Sequence, residues 1–540
     1  MIDLKDFVIE GDTLVSYKGR EKNLKIPFLV TKIAEKAFFG NDFIKTLALP
    51  ISVTSIAPRA FFGCTSLESI YLPPSLEEIG DEAFKKCSSL KYVLFGGNEN
   101  EWERVKKGNL WCTPTGEFCM KFNCPWSIQN NPKDFIIEDT TLNTYTGADA
   151  HVIVPDGITV IGDWAFDESH NLQTVYLPAS ITEIGIYAFA HCPDFAVIYF
   201  GGSNEQWENI ITGIFWDFGV EDYTVVCDCK PNTAEDFVIK DGELLKYVGD
   251  SRAVSIPYGV NKVADGAFED SGFVTSLIFP DTVDTITAGS LEGLRNLRVV
   301  QTGDGVTEIL PNTFSMYPEI EAAILGKSVH TVESFAFWCC TKLKKVIFSE
   351  GVYYLHNGAF SGCTALKWVT LPSTLEEIDD QVFFGCTALE RVDFDCGVRR
   401  IGWSAFDGCT SLKWIDLPET LNQIGWHAFS GCTSLEKVIL HDRLYVIGHG
   451  AFEECAITEI DIPEKTHTIG DKAFFGCKKL KTVNIGSDLH TLGKHAFEGC
   501  DHPVNITFNG TRFRWSCIIR DLDWKKGEGK YILRYLKKED

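Results

Sequence analysis

Apolar residues along this chain follow short periods nested inside a longer one. From Leu67 to Ser89 the sequence reads LESIYLPPSLEEIGDEAFKKCSS. Leu67, Ile70 and Leu72 make an L-x-x-I-x-L pattern that predicts a short strand, because apolar residues two apart share one strand face. Pro73 ends the ladder, since proline has no N–H to donate to a neighbour. Leu76 and Ile79 continue the buried line. Gly80 and Asp81 predict a turn, with Asp81 as N-cap of a short helical turn over Glu82 to Lys86. That turn would point Ala83, Phe84 and Cys87 inward.

The pattern returns down the chain. Its anchors are Phe38, Phe61 and Phe84, then Phe166 and Phe189, then Phe268 and Phe314 through Phe337, Phe360, Phe383, Phe406, Phe429, Phe452, Phe474 and Phe497. Leu291 fills the one missing slot. Nearly every step within a run is 23 residues, the step from Phe452 to Phe474 being 22. A single such unit cannot bury its own apolar face, but stacked copies share one continuous core.

A second, longer repeat overlies the first. DFVIEGDTLVSYKG from Asp6, DFIIEDTTLNTYTG from Asp134 and DFVIKDGELLKYVG from Asp236 each predict a β-hairpin that opens a run of repeats. GGNENEWERVKKGNLW, GGSNEQWENIITGIFW and NGTRFRWSCIIRDLDW align the pairs Trp102/Trp111, Trp207/Trp216 and Trp515/Trp524, which predict plugs at the end of each run. The chain therefore divides into blocks 1–133, 134–235 and 236–540, with four, three and twelve repeats. Twelve strands spaced ~4.8 Å apart would give the last block a concave sheet roughly 55 Å long. Joints are expected near Pro132 and Pro231.

A period of this length with L-x-x-L-x-L is the leucine-rich-repeat signature. The wording LxxVxLPxxLxxIGxxAFxxC resembles the BspA-like leucine-rich repeats of many bacterial and some protist surface proteins, over most of the chain. The resemblance implies an α/β repeat solenoid: a right-handed superhelix with a parallel concave β-sheet, hairpin caps at the start and Trp-containing caps at the end of each block. It also implies a non-catalytic role in adhesion to host matrix proteins or other cells, and hence a cell-surface or secreted location.

Charge narrows the partners. The 540-residue chain carries 75 acidic and 50 basic residues, a formal net charge of -25. That excess repels phosphate backbones and anionic lipid headgroups, so neither nucleic acid nor membrane insertion is expected. No apolar run approaches the ~20 residues a membrane span needs. The first residues, with Asp3 and Asp6, do not read as a secretory signal, so the expectation is a cytoplasmic protein, one whose signal has been removed, or one exported by another route.

Eleven of the nineteen cysteines stand three residues after an anchor Phe, among them Cys64, Cys363, Cys386 and Cys409. A residue in register with core positions is expected to be a small buried hydrophobe, its thiol free, as suits a reducing compartment. Cys112, Cys119 and Cys124, and the pair Cys227 and Cys229, lack the spacing and histidines of a zinc site. There is no glycine-rich phosphate loop, GxSxG elbow or HExxH pair, so no cofactor and no catalysis are expected. His427, His449 and His495 are expected on outer turns.

The candidate site is the outward face of the first strand. In L-x-x-V-x-L the x residues point away from the core. The second x column of the last block reads Lys345, Trp368, Arg391, Trp414, Lys437. The third reads Ile347, Thr370, Asp393, Asp416, Ile439, Asp461. Alternating cations and indoles beside carboxylates have the composition of a binding hot spot, with Trp368, Arg391 and Trp414 as anchors and Asp393 and Asp416 as polar contacts. The same column also reads as cross-strand pairing that steadies the sheet. Tyr71, Tyr176 and Tyr199 form a fainter aromatic stripe in the first two blocks. A protein is the expected partner, a glycan the alternative; an intracellular interaction scaffold is the rival role. Sequence leaves the oligomeric state open.

Overall fold

A computed structural model describes residues 6–537 apart from 27–29, 51–52, 74, 97–98, 113–118, 122–133, 156, 221, 230–231, 233–235, 258, 316, 395–396, 502 and 521–530. Pro132, Pro231, Cys124 and Trp524 lie outside the described residues. A typical repeat contributes two strands to two parallel sheets with the core between them, while the repeat of Ser276–Ile278 adds none to the second sheet. Trp368–Leu371 and Glu377–Ile378 are one such pair. Register preserves the sequence period: Trp368 lies opposite Arg391 and Thr370 opposite Asp393, while Glu377 lies opposite Arg400. The expected parallel-stranded solenoid is present. Strand dominates it, and the α-helices among the described residues are the short Glu99–Arg104, Asn204–Glu208 and Arg512–Ser516.

The helical turn expected over Glu82 to Lys86 does not form. Glu82 (φ 55) and Lys86 (φ 63) are left-handed, which interrupts any right-handed run. Alternate N–H groups of these turns bond sideways to the next repeat, and those between them bond three residues back, as Phe384 N does to Gln381 O at 3.1 Å. Phe383 N donates to Ala405 O at 2.8 Å, Gly385 N to Asp407 O at 2.8 Å and Phe406 N to Ala428 O at 2.7 Å. The outer turns thus form a hydrogen-bonded ladder of their own, which satisfies backbone groups that a short helix would leave exposed at its ends.

Inside that ladder the anchor phenylalanines stack. Phe38, Phe61 and Phe84 lie 4.8 and 4.9 Å apart between ring centroids. Further on, Phe383, Phe406 and Phe429 lie 5.2 Å apart at each step. The hairpin caps extend the stack with their own aromatics: Phe7–Tyr17–Phe38, Phe135–Tyr145–Phe166 and Phe237–Tyr247–Phe268. All three hairpins shift register at the same place, between Val8 and Ile9, Ile136 and Ile137, and Val238 and Ile239. At the far ends Trp111 meets Phe84 edge-on at 6.2 Å and Trp216 meets Phe189 at 6.0 Å. In the last block Trp515 packs on Phe508 at 5.0 Å.

The cysteines do more than fill space. The thiol of Cys386 donates to Phe360 O at 3.3 Å, and that of Cys409 to Phe383 O at 3.3 Å. The same bond recurs from Cys64 to Phe38 O and from Cys477 to Phe452 O, at 3.1 Å each. Each thiol adds a second, weak donor to a carbonyl that already accepts a backbone N–H, as Phe360 O does from Cys363 N at 3.2 Å.

The chain forms two compact units, Met1–Asp284 with Gly289–Leu294 and Thr285–Ala288 with Arg295–Asp540. The division falls in the repeat whose stacking slot holds Leu291 and whose outer turn is a 3-10 turn, Gly289–Leu291. A single aliphatic residue there ends one phenylalanine stack before the next begins at Phe314. In the second unit the short strands run unbroken as a ten-stranded sheet from Glu308–Ile309 to Ile519–Arg520.

Phe406→Ala removes a ring stacked on both sides and should cost about 3–5 kcal/mol, read as a lower denaturant midpoint. Burial also pushes the Cys386 thiol up to about 12. A thiol reagent at neutral pH should therefore label exposed Cys517 in the native protein and reach Cys386 only on unfolding.

Candidate binding surface

In the second unit the first strands form four ladder segments. They are Val299–Gln301 to Lys345–Ile347, then Trp368–Leu371 with Arg391–Phe394, then Trp414–Asp416 with Lys437–Ile439, then Glu459–Ile462 to Tyr531–Tyr535. The outward columns change character along this series. Ala322, Ile324, Lys345 and Ile347 are buried. Thr370, Arg391, Trp414, Asp416 and Lys437 are exposed, and Asp393 is half-buried.

Lys345 is a correction to the expectation of an outward, available cation. Only 4% of it is exposed, and its Nζ sits 4.7 Å over the Trp368 ring. The lysine stem lies along apolar surface and its charge is engaged by the indole face. Trp368 is accordingly half-buried, and its Nε1 is covered with no acceptor among the described residues. This pair is packing at the edge of the surface. Two of the eight candidates thus leave the accessible set.

The remaining six lie on neighbouring strands. Arg391 Nε donates to Asp393 Oδ1 at 2.8 Å along its own strand. Trp414 is 44% exposed and lies opposite Lys437, with Asp416 opposite Ile439. His441 Nε2 lies 2.9 Å from Asp416 Oδ1. The surface therefore offers one accessible indole between two cations, flanked by carboxylates that are already oriented. Sequence reasoning stopped one strand short: exposed Glu459 continues the Trp414 column and exposed Asn484 the Asp416 column. The shortened repeat ahead of Phe474 obscured that register, although Asp461 marked it.

Beside these columns, the first x positions carry an ion-pair row. Glu321 receives Arg298 Nε at 2.6 Å and Lys344 Nζ at 2.9 Å. Burial alone would raise its carboxyl, but the two cationic donors outweigh that and hold it below its usual range. The outer-turn histidines are likewise engaged: His427 Nδ1 lies 3.4 Å from Glu453, and its ring meets that of His449.

The tyrosine stripe of the first two blocks is not an open surface. Tyr71 and Tyr199 are buried. Tyr71 packs with Ala48 and Leu94 in a small apolar cluster. Tyr199 Oη lies 3.2 Å from Ser276 Oγ, so the outward face of the second block packs onto the start of the third. Tyr176, half-buried, donates to Cys229 O at 3.3 Å. Among the described residues no group of three His, Cys, Asp or Glu side chains could hold a metal ion. No described helix is long and apolar enough to cross a membrane.

Stacked parallel strands, a phenylalanine column and capped ends define a leucine-rich-repeat solenoid. The family model of the BspA type leucine rich repeat region matches residues 16–105, 141–225, 261–390, 330–455 and 446–514, and the chain belongs to that family. Among solved structures it is similar to a leucine-rich repeat protein from Bacteroides ovatus, at 20% identity and TM-score 0.41, over 98% of this chain and 97% of that one. It is also similar to a leucine rich cell surface protein from Faecalibacterium prausnitzii, at 21% identity and TM-score 0.31, over 74% of this chain and 98% of that one. No curated protein matches it in sequence.

Proposed function

We propose that the protein is a non-catalytic binding protein that presents the outward strand face of its second unit to a protein partner. The observation that carries this reading is Trp414, exposed between Arg391 and Lys437 on a face whose preceding columns are buried. An accessible indole flanked by cations and pre-oriented carboxylates is what a protein hot spot offers. The strands are fixed by their ladders, so binding would cost little ordering entropy. Thr370, Arg391, Asp393, Trp414, Asp416 and Lys437 form this surface, with Glu459 and Asn484 at its margin. Adhesion is the finer form of the reading and draws on the family.

A photo-cross-linking amino acid in place of Thr370, exposed beside the proposed anchors, should trap one discrete partner in the native cell. The same probe at Glu377, exposed on the opposite sheet, should not. Trp414→Ala should abolish that association at nearly unchanged stability, since exposed substitutions usually stay within about 0.5 kcal/mol. Identical cross-linking from both positions, none from 370, or trapping from 370 that survives Trp414→Ala would remove the concave-face reading.

The second reading, an intracellular scaffold, draws on the free thiols recorded from Cys64 to Cys517. Protease added to intact native cells distinguishes the two. Shaving of the protein supports adhesion, whereas survival until lysis sends the search for partners inside the cell.

A further inference from the structure

One position on the outer turn, just ahead of the Ala-Phe pair or its equivalent, is left-handed in the repeats on either side of the one that holds Leu291. It carries Lys36, Arg59 and Glu82 in the first block and Asn312, Phe335, Gln381, Ser404, His427, Lys472 and His495 in the long array, with glycine elsewhere. Polar residues suit a solvent-facing turn. The second block carries rings at all three such positions, Trp164 (φ 60), Tyr187 (φ 54) and Phe215 (φ 57), in a backbone region they disfavour, where the long array has Phe335 (φ 59) alone among its bulky rings. Trp164 and Tyr187 stack at 4.3 Å, Tyr187 and Phe215 at 5.7 Å, and Phe218 closes edge-on against Phe215 at 5.8 Å. Beside them Ile214 is 68% exposed, Phe215 56% and Trp164 49%. Contiguous apolar surface of this kind marks an interaction site in a folded protein.

A separate observation fixes the chemistry of what binds. From Asp134 to Cys229 the chain contains no lysine or arginine and sixteen carboxylates. Asp163, Asp167, Glu168 and Asp217 lie on the same turns as the rings. Asp163 Oδ1 accepts the Ile186 N–H at 2.7 Å, and Asp167 Oδ1 lies 2.9 Å from His191 Nδ1. Asp217 accepts from the Tyr223 hydroxyl at 3.1 Å. The rings are therefore rimmed by oriented carboxylates with which no lysine or arginine pairs among the described residues.

We propose that this aromatic edge of the second block docks a cationic, apolar polypeptide segment, independently of the concave face of the second unit. Leucine-like side chains would cover the exposed rings and Ile214. Guanidinium or ammonium groups would meet ring faces and the carboxylate rim. The same charge opposes phosphate-bearing ligands, and a second copy pairing through this face would set carboxylate against carboxylate. A neutral sugar would use the rings and leave the rim without a role.

The test is fluorescence anisotropy of the full chain with a labelled short peptide of alternating arginine and leucine. Binding should weaken steeply with salt and vanish for peptides with glutamate for arginine or serine for leucine. Trp164→Asn combined with Phe215→Asn should weaken it about tenfold or more. Asparagine keeps the turn, since Asn312 holds the same position at φ 58. Glu168→Lys should also weaken it, and Lys86 already occupies that equivalent left-handed site. If the double variant fails to fold, Glu168→Lys and Ile214→Ser carry the test. Unchanged affinity in the folded variants, or equal binding of the glutamate peptide, overturns the proposal. So does binding of a neutral glucan oligosaccharide but not the peptide, or dimerisation abolished by Trp164→Asn.

Discussion

Everything in this molecule depends on hydrogen bonds that run from one repeat to the next in the outer turns. Phe383 N to Ala405 O and Phe406 N to Ala428 O do in the turns what ladder bonds do in the sheets. They are available because two residues in a typical turn, such as Gln381 and Gly385 or Ser404 and Gly408, adopt a left-handed backbone that aims N–H groups sideways. The phenylalanine stack and the cysteine thiol bonds then lie at fixed spacing inside a scaffold whose backbone is satisfied from copy to copy. No repeat is stable alone, and each is held by both neighbours.

The same dependence explains where the array stops and where it divides. An open end would expose both a ring face and a row of unpaired strand groups. Hairpins carrying Tyr17, Tyr145 and Tyr247 close one end, and Trp111 and Trp216 close the other in the first two blocks. Where Leu291 interrupts the ring column, the two compact units part. Replacing one aromatic by one aliphatic side chain thus coincides with the largest boundary in the chain.

Because the core is uniform, individuality is confined to outward positions, and these are used unevenly. Lys345 and Tyr199 stand in columns that sequence assigns to solvent, yet one is folded against Trp368 and the other against Ser276. Arg391, Trp414 and Lys437 stand in the same columns and remain open. On the outer edge, the second block sets rings at all three of its left-handed turn positions, and from Asp134 to Cys229 it has no lysine or arginine to balance its carboxylates.

The period of 23, the buried cysteines and the alternation of inward and outward strand residues are local properties. They follow from side-chain hydrophobicity and strand geometry within one copy, so the sequence by itself determined them. The conformation of the outer turn was not local. Glu82 to Lys86 reads as a helix start, and only hydrogen bonds to the adjacent copy make it a left-handed turn. Exposure was not local either: whether Lys345 or Trp414 faces water depends on what packs over each strand. Only the tertiary structure decided that, because burial belongs to the neighbours a residue meets and not to the residue itself.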